Sequence, residues 1–268
     1  MNNAEFPKLF IVDLDGTVLA KGQEPYARLV DRFSDFLDKL AEHGCEWGIN
    51  STWDVQGQWH LALVSSVKNK PKYLMGEIGL RLAEIKKSSI EFIHPYTGMM
   101  ENRSEEEINK RMRPIVREIT SQFMSKRMHF YGHLFDFSVV DDEKSAFNEF
   151  IRKFKEVEGL VTNIGNGSFS VYPAMLSKGH PIREIMRICG YSPRDIVVAG
   201  DEITDLDMMC PSITSNPICP SNSATDVKEH VSKSGGVSSE KPYADGIMDA
   251  FNALSVKRGW NFKLKDAS

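Results

Sequence analysis

Two short acidic runs carry the chemistry of this sequence. The first is Asp13-Leu14-Asp15-Gly16-Thr17, directly after the apolar run Leu9 to Val12. The second is Gly200-Asp201-Glu202-Ile203-Thr204-Asp205, directly after Ile196-Val197-Val198-Ala199. Carboxylates brought together repel, by roughly 4 kcal/mol for a pair ~4 Å apart at an effective dielectric near 20. A cluster of Asp13, Asp15, Asp201 and Asp205 therefore needs a cation, and an oxygen-only set with room for water and phosphate suits Mg2+. A calcium loop fits poorly: its sixth position, which requires Gly, would be Val18, and a strand precedes it instead of a helix. Two further segments fit an anion. Asn50-Ser51-Thr52 follows a brief apolar run and offers hydroxyls and an amide to a phosphate oxygen. Lys178-Gly179 opens a helix, where an ammonium and unpaired backbone N–H groups favour negative charge. Taken singly, a strand-end Ser is an ordinary cap and a Lys an ordinary solvated charge. Their order along the chain joins them to the acidic runs.

In a parallel α/β sheet ligands gather at the carboxyl ends of the strands, so the surrounding runs show what must hold these residues. Leu9 to Val12 reads as a buried strand. Leu29, Phe33, Phe36, Leu37 and Leu40 share one helix face, stopped by Gly44. Trp47 to Ile49 is a second strand, Gly57 to Val67 a helix, and Tyr73 to Met75 a third strand after Pro71. This βαβαβ rhythm predicts a parallel sheet with helices on its faces. From about Arg81 to Tyr172 the rhythm changes. Ser104 to Glu107 has the form of a capping box starting a helix that carries Ile108, Met112, Ile115, Ile119 and Phe123, with Pro114 inside it. His129 to Val140 reads as one strand, Phe147 to Phe154 as a helix, and Gly159 to Tyr172 as a hairpin turning at Asn166-Gly167. After Lys178 the first pattern returns: Ile182, Ile185, Met186 and Cys189 line a helix ending at Gly190, and a last helix runs from about Tyr243 to Val256. The expected fold is α/β, a doubly wound, mostly parallel sheet built from residues 1–80 and 176–268. Residues 81–175 form an inserted α+β domain.

The ordered motifs resemble the haloacid dehalogenase (HAD) superfamily of phosphotransferases over nearly the whole chain. Its DxDG[TS] motif matches Asp13 to Thr17, and its strand-end Ser or Thr matches Ser51, with Thr52 as the alternative phosphate ligand. Its helix-opening Lys matches Lys178, and its GDxxxD motif matches Gly200 to Asp205. Ser177-Lys178-Gly179 and the loop Pro220-Ser221-Asn222-Ser223 resemble the Cof-like sugar-phosphatase subgroup, and the insert looks like that subgroup's C2-type cap. The resemblance implies a phosphoric monoester hydrolase working through a phospho-aspartate. Asp13 would be the nucleophile, and Asp15 the general acid and then the base toward water. Mg2+ would sit on Asp13, Asp201 and the backbone carbonyl of Asp15. Ser51, Lys178 and Asn222 would hold phosphate, supported by Asp205, Thr52 and Gly16. Two departures stand out. The subgroup usually continues TGR at the second motif, whereas Thr52-Trp53 stands here. Thr204 replaces the usual Asn of the fourth motif, as in trehalose-phosphate phosphatases, which leans toward a sugar phosphate. The alternatives are a phosphomutase acting on a sugar phosphate and a non-catalytic or regulatory phosphoacceptor on the same scaffold. Intact motifs disfavour the latter, and release of inorganic phosphate separates a phosphatase from a mutase.

The composition narrows the partners. The 268 residues are 41% hydrophobic and 26% charged with a net charge of −4, an ordinary balance that points to neither nucleic acid nor an acidic membrane. No apolar run approaches the ~18 residues a bilayer needs. The start of the chain lacks the basic opening of a secretory signal. Cys45, Cys189, Cys210 and Cys219 are scattered without CxxC spacing and read as reduced thiols. We expect a cytoplasmic protein, a monomer or small homo-oligomer, whose partner is a small phosphorylated molecule.

Overall fold

The computed structural model describes residues 5–20, 27–130 and 133–262. Its elements begin with β1 (Leu9–Val12), α1 (Asp31–Glu42), β2 (Glu46–Asn50), α2 (Val55–Val64), β3 (Tyr73–Gly76), β4 (Arg81–Lys86) and β5 (Ser89–Phe92). Next come α3 (His94–Glu107), α4 (Arg113–Gln122), β6 (Ser125–Phe130), β7 (Phe135–Val139), α5 (Lys144–Ile151), β8 (Leu160–Gly165) and β9 (Ser168–Pro173). The chain continues with α6 (Gly179–Cys189), β10 (Ile196–Ala199), β11 (Asn216–Cys219), α7 (Thr225–Lys233), β12 (Val237–Ser238) and α8 (Tyr243–Arg258). Two compact units result: one runs to Tyr96 and resumes at Ser177, the other spans Thr97–Leu176.

The first unit is built on an eight-stranded sheet in the order β12-β11-β10-β1-β2-β3-β4-β5. The strands from β12 to β3 are parallel; β4 and β5 add antiparallel at the edge. The sequences LFIV of β1 and IVVA of β10 are buried throughout, as parallel strands covered on both faces must be. Val12 pairs with Ala199 on one side and Ile49 on the other. Asp13, Gly200 and Asn50 therefore come level at the carboxyl edge of three adjacent strands. Phe10 anchors β1 from below, its ring edge-on to Phe36 of α1 at 5.7 Å and Phe251 of α8 at 5.9 Å. Burying each such ring contributes about 1.5–3 kcal/mol, which fixes the strand that carries Asp13.

The β4–β5 hairpin moves the boundary drawn at residue 81. Leu82 and Ala83 are buried against β3, so this segment completes the first sheet, and the second unit starts at Thr97. Within that unit β6-β7-β9-β8 form an antiparallel sheet. Phe135, Phe137 and Val139 of β7 pack with Ile115 and Ile119 of α4, Phe147 and Ile151 of α5, and Phe169 and Val171 of β9. The segment His129 to Val140 is two strands of a hairpin, not one: Phe130 pairs back onto Phe135. The Ser104 to Glu107 segment does not start a helix either. It lies inside α3, where the Ser104 hydroxyl donates to the Glu101 carbonyl at 3.1 Å, a common mid-helix habit of Ser. A wider π-type turn at Ile108–Met112 follows, and Pro114 stands directly after it in the first turn of α4. Among the described residues no helix is long and apolar enough to cross a membrane.

Candidate active site

The strand register brings the two acidic runs together. Asp13 follows β1 and its N–H donates to the Ala199 carbonyl at 3.0 Å; Asp201 stands two residues beyond β10. The Thr17 hydroxyl bridges them, donating to Asp201 Oδ1 at 2.7 Å with Asp13 Oδ2 at 3.1 Å. Lys178 immediately precedes α6, and its Nζ donates to Asp13 Oδ1 at 2.8 Å and Asp205 Oδ1 at 2.6 Å. The other oxygen of Asp205 accepts the N–H groups of Asp201 and Glu202 at 2.9 and 3.0 Å. One buried aspartate thus ties the loop of the second acidic run to the lysine.

The loop after β1 turns through Gly16 at φ +86°, in the left-handed region that glycine enters without strain. A Cβ there would lie 2.2 Å from Asp201 Oδ2, so the missing side chain keeps the Asp201 carboxylate clear. Ser51 is buried one residue beyond β2, and its Oγ accepts the Trp53 N–H at 3.3 Å, leaving its own O–H as a donor. Thr52 is half-buried beside it.

Burial pushes the Asp13 carboxyl up to about 8; the Lys178 ammonium opposes that rise, and the charges of Asp205 and Asp201 add to it. Burial alone would discharge Lys178, but Asp13 and Asp205 overcome it and hold its pKa above the usual lysine value. Oxygens of Asp13, Asp201 and Asp205 lie within 4.8 Å of one another. This is an oxygen-only set of the kind hard divalent cations take. Asp205 is the most heavily bonded of the three, its oxygens taking the lysine and two backbone N–H groups. The Asp15 carboxylate lies outside this trio.

Several positioning contacts were not legible beforehand. Asn50, read as a phosphate donor, gives its amide N–H to the Lys178 carbonyl at 2.7 Å. Asn222 spans two loops: its amide N–H donates to the Gly16 carbonyl at 2.6 Å, and its Oδ1 accepts the Tyr243 N–H at 2.9 Å. Asp207 gathers Ser177, the Gly179 N–H and the Arg183 guanidinium around the start of α6. The Trp53 indole N–H donates to Asp15 Oδ2 at 2.6 Å. The only sequence hint of that last contact was the tryptophan standing in the segment expected to bind phosphate.

Comparison with known proteins identifies the family and the fold. The sequence model of the sucrose-6F-phosphate phosphohydrolase family matches residues 6–254. No curated protein sequence matches the chain. Among solved structures, Thermoplasma acidophilum 0175 shares 14% identity at a TM-score of 0.65, covering 94% of this chain and 99% of that one. A sucrose-phosphatase from Synechocystis, solved with sucrose and phosphate, shares 12% identity at a TM-score of 0.61, over 93% and 98%. A Bacteroides thetaiotaomicron phosphatase of the HAD superfamily shares 14% at a TM-score of 0.60, over 96% and 98%. At such identities these structures share the fold, a mostly parallel sheet of the HAD type.

Proposed function

The chain belongs to the sucrose-6F-phosphate phosphohydrolase family and is a HAD-superfamily hydrolase of phosphate monoesters; from that premise we propose that it hydrolyses a small sugar phosphate, with Mg2+, through a phospho-aspartate at Asp13. The observation that carries this reading is the buried chain Asp205–Lys178–Asp13–Thr17–Asp201 at the carboxyl ends of β1 and β10. A nucleophile, a cation for the phosphoryl oxygens and a second carboxylate stand there on rigid elements.

An Asp13 oxygen attacks phosphorus, and the bond from phosphorus to the sugar oxygen breaks. The departing oxygen takes a proton from the Asp15 carboxyl. In the second half-reaction Asp15, now a carboxylate, takes a proton from water as that water attacks the phosphorus of phospho-Asp13. The phosphorus–Asp13 bond breaks, inorganic phosphate leaves, and both aspartates return to their starting states. Lys178 and Ser51 hold the transferring phosphoryl oxygens and offset their charge. Asp205 orients Lys178, and Asn222 braces the Gly16 turn. Mg2+ would be held by the carboxylates of Asp13 and Asp201 and the backbone carbonyl of Asp15; when bound it keeps Asp13 ionised and neutralises phosphoryl charge.

Thr97–Leu176 is the inserted cap of this reading. The sugar-phosphate assignment is supported by the family and by Thr204. Free thiols at all four cysteines support a cytoplasmic setting. The test is a panel of sugar phosphates that includes sucrose 6F-phosphate, with release of inorganic phosphate as the readout and intact mass measured after a rapid acid quench. Asp13→Asn should never carry a phosphoryl adduct, whereas Asp15→Asn should accumulate one. An adduct on the Asp13→Asn protein, or interconversion of sugar phosphates without phosphate release, would overturn the mechanism.

A further inference from the structure

We infer that Trp53 is the positioning residue of the proton-transferring carboxyl, fixing Asp15 through its indole N–H. The inference rests on the reading of Asp15 as general acid. Two independent observations support it: where the indole points, and how firmly the rest of Trp53 is held.

The terminal torsion of an aspartate is broad, so the partners of a carboxyl set its orientation. The indole N–H is such a partner, at 2.6 Å from Oδ2. A tryptophan donates only through this one group, and its large ring has just two torsions to lose, so the donor is delivered at low entropic cost. The backbone of Trp53 is held from three sides. Its N–H donates to Ser51 Oγ at 3.3 Å. Its carbonyl accepts from the Gln58 amide at 3.0 Å and from the Glu77 N–H at 3.1 Å. Gln58 is fully buried and also donates to the Met75 carbonyl at 2.9 Å, so the clamp joins α2 to the end of β3. A Cβ on Gly76 would stand 3.0 Å from the Trp53 carbonyl oxygen, which shows how closely the two segments approach. The residue that aims at Asp15 is therefore set by β2, α2 and β3 together, not by its own loop.

The contact also distinguishes the two oxygens of Asp15. In a neutral carboxyl the carbonyl-type oxygen is the better acceptor, so the indole N–H gives Oδ2 that role and leaves the O–H on Oδ1. In the first half-reaction that O–H bond breaks and its proton joins the departing sugar oxygen. At the same time the bond from phosphorus to that oxygen breaks and the bond from Asp13 to phosphorus forms.

The competing role for a tryptophan that is 7% exposed is plain core filling, and the experiment separates the two. Trp53→Phe keeps the ring and removes the donor. The readout is kcat/KM, which reports the steps through phosphoryl transfer to Asp13, for the panel sugar phosphate that the unmodified protein turns over fastest, sucrose 6F-phosphate included, and for p-nitrophenyl phosphate, whose leaving group needs little protonation. With a positioning role, the variant loses roughly ten- to a hundredfold on the sugar phosphate and less than about threefold on the aryl ester. In an Asp15→Asn background the same change has no further effect beyond about twofold on either ester. A core filler lowers both esters by one factor, because misfolding removes active enzyme without regard to substrate, and its effect adds in full to Asp15→Asn. Either of those results overturns the inference. Phosphate release from no sugar phosphate of the panel and none from the aryl ester by the unmodified protein would instead defeat the phosphatase reading, and the inference with it.

Discussion

Asp13→Asn should abolish turnover and yet make the metal-free protein more stable. Burial, opposed by Lys178 and reinforced by Asp205 and Asp201, raises the Asp13 carboxyl from 3.8 to about 8. Between those values the folded chain keeps a proton that the unfolded chain has released, so stability falls as the pH rises through that window. At pH 7 the penalty is about 4 kcal/mol, from roughly three pH units at about 1.4 kcal/mol each. Asparagine removes it, still accepts from Lys178 and still partners Thr17, and the value of about 8 already includes the pull of Lys178. The gain at pH 7 is therefore at most about 4 kcal/mol, with each kcal/mol worth roughly 2–4 °C in Tm for a chain of this size. Urea unfolding of both proteins in EDTA from pH 5 to 8 measures it. The advantage of Asp13→Asn should be widest near pH 8, shrink toward pH 5, and narrow when saturating Mg2+ stabilises the unmodified protein. The reasoning is refuted if Asp13→Asn is the less stable protein at pH 7 in EDTA, or if the gap widens as the pH falls.

Gly16→Ala puts a Cβ 2.2 Å from Asp201 Oδ2 at φ +86°; it should cost about 1–2 kcal/mol of stability and weaken Mg2+ binding by calorimetry at least tenfold. Chelation should abolish turnover and Mg2+ restore it, and Asp201→Asn should raise the Mg2+ needed for half-maximal rate about tenfold or more, an effect read from a simple titration. Asp207→Asn should loosen the start of α6, raising KM for the phosphorylated substrate and lowering stability by about 1–2 kcal/mol in urea. Partial burial works against the Asp207 charge, but Arg183 and Ser177 hold its pKa below the usual carboxylate value. Its stabilising contribution is therefore present at neutral pH and lost as the pH falls through that depressed value.

The parallel core was readable because its signals are local. LFIV and IVVA are short, apolar and rich in β-branched residues, so they read as buried strands, and carboxylates directly after them then stand at strand ends. The hairpin β4–β5 was misassigned because Arg81 to Phe92 alternates like an antiparallel sheet, and nothing local says which sheet it joins. The strand read over 129–140 is two strands, Phe130 pairing with Phe135, and no Asn-Gly stands in that stretch of sequence to announce it. The Ser104 box failed because an uninterrupted helical environment overrides a capping preference. In the site, Asp13, Lys178 and Asp201 came from order and spacing. The structure shows Asp205 as a partner of that lysine. Trp53 and Asn222 were different: each works through a side-chain contact with a residue far along the chain, and such pairings leave no mark on either segment alone.

Val12 and Ala199 are neighbours in the sheet, yet a ribosome adding about 5–20 residues per second makes them on the order of ten to forty seconds apart. Throughout that interval one edge of β1, the most apolar strand, has no partner. An unpaired, uncharged edge of this kind is a template for pairing with another chain. Non-local parallel pairing is also slow to form, because a long loop must close before the contact rewards it. The interval ends only when β10 arrives, and the same event brings Asp201 to Asp13. Newly made chains should therefore be vulnerable to aggregation and in need of chaperones until the moment they become competent for chemistry.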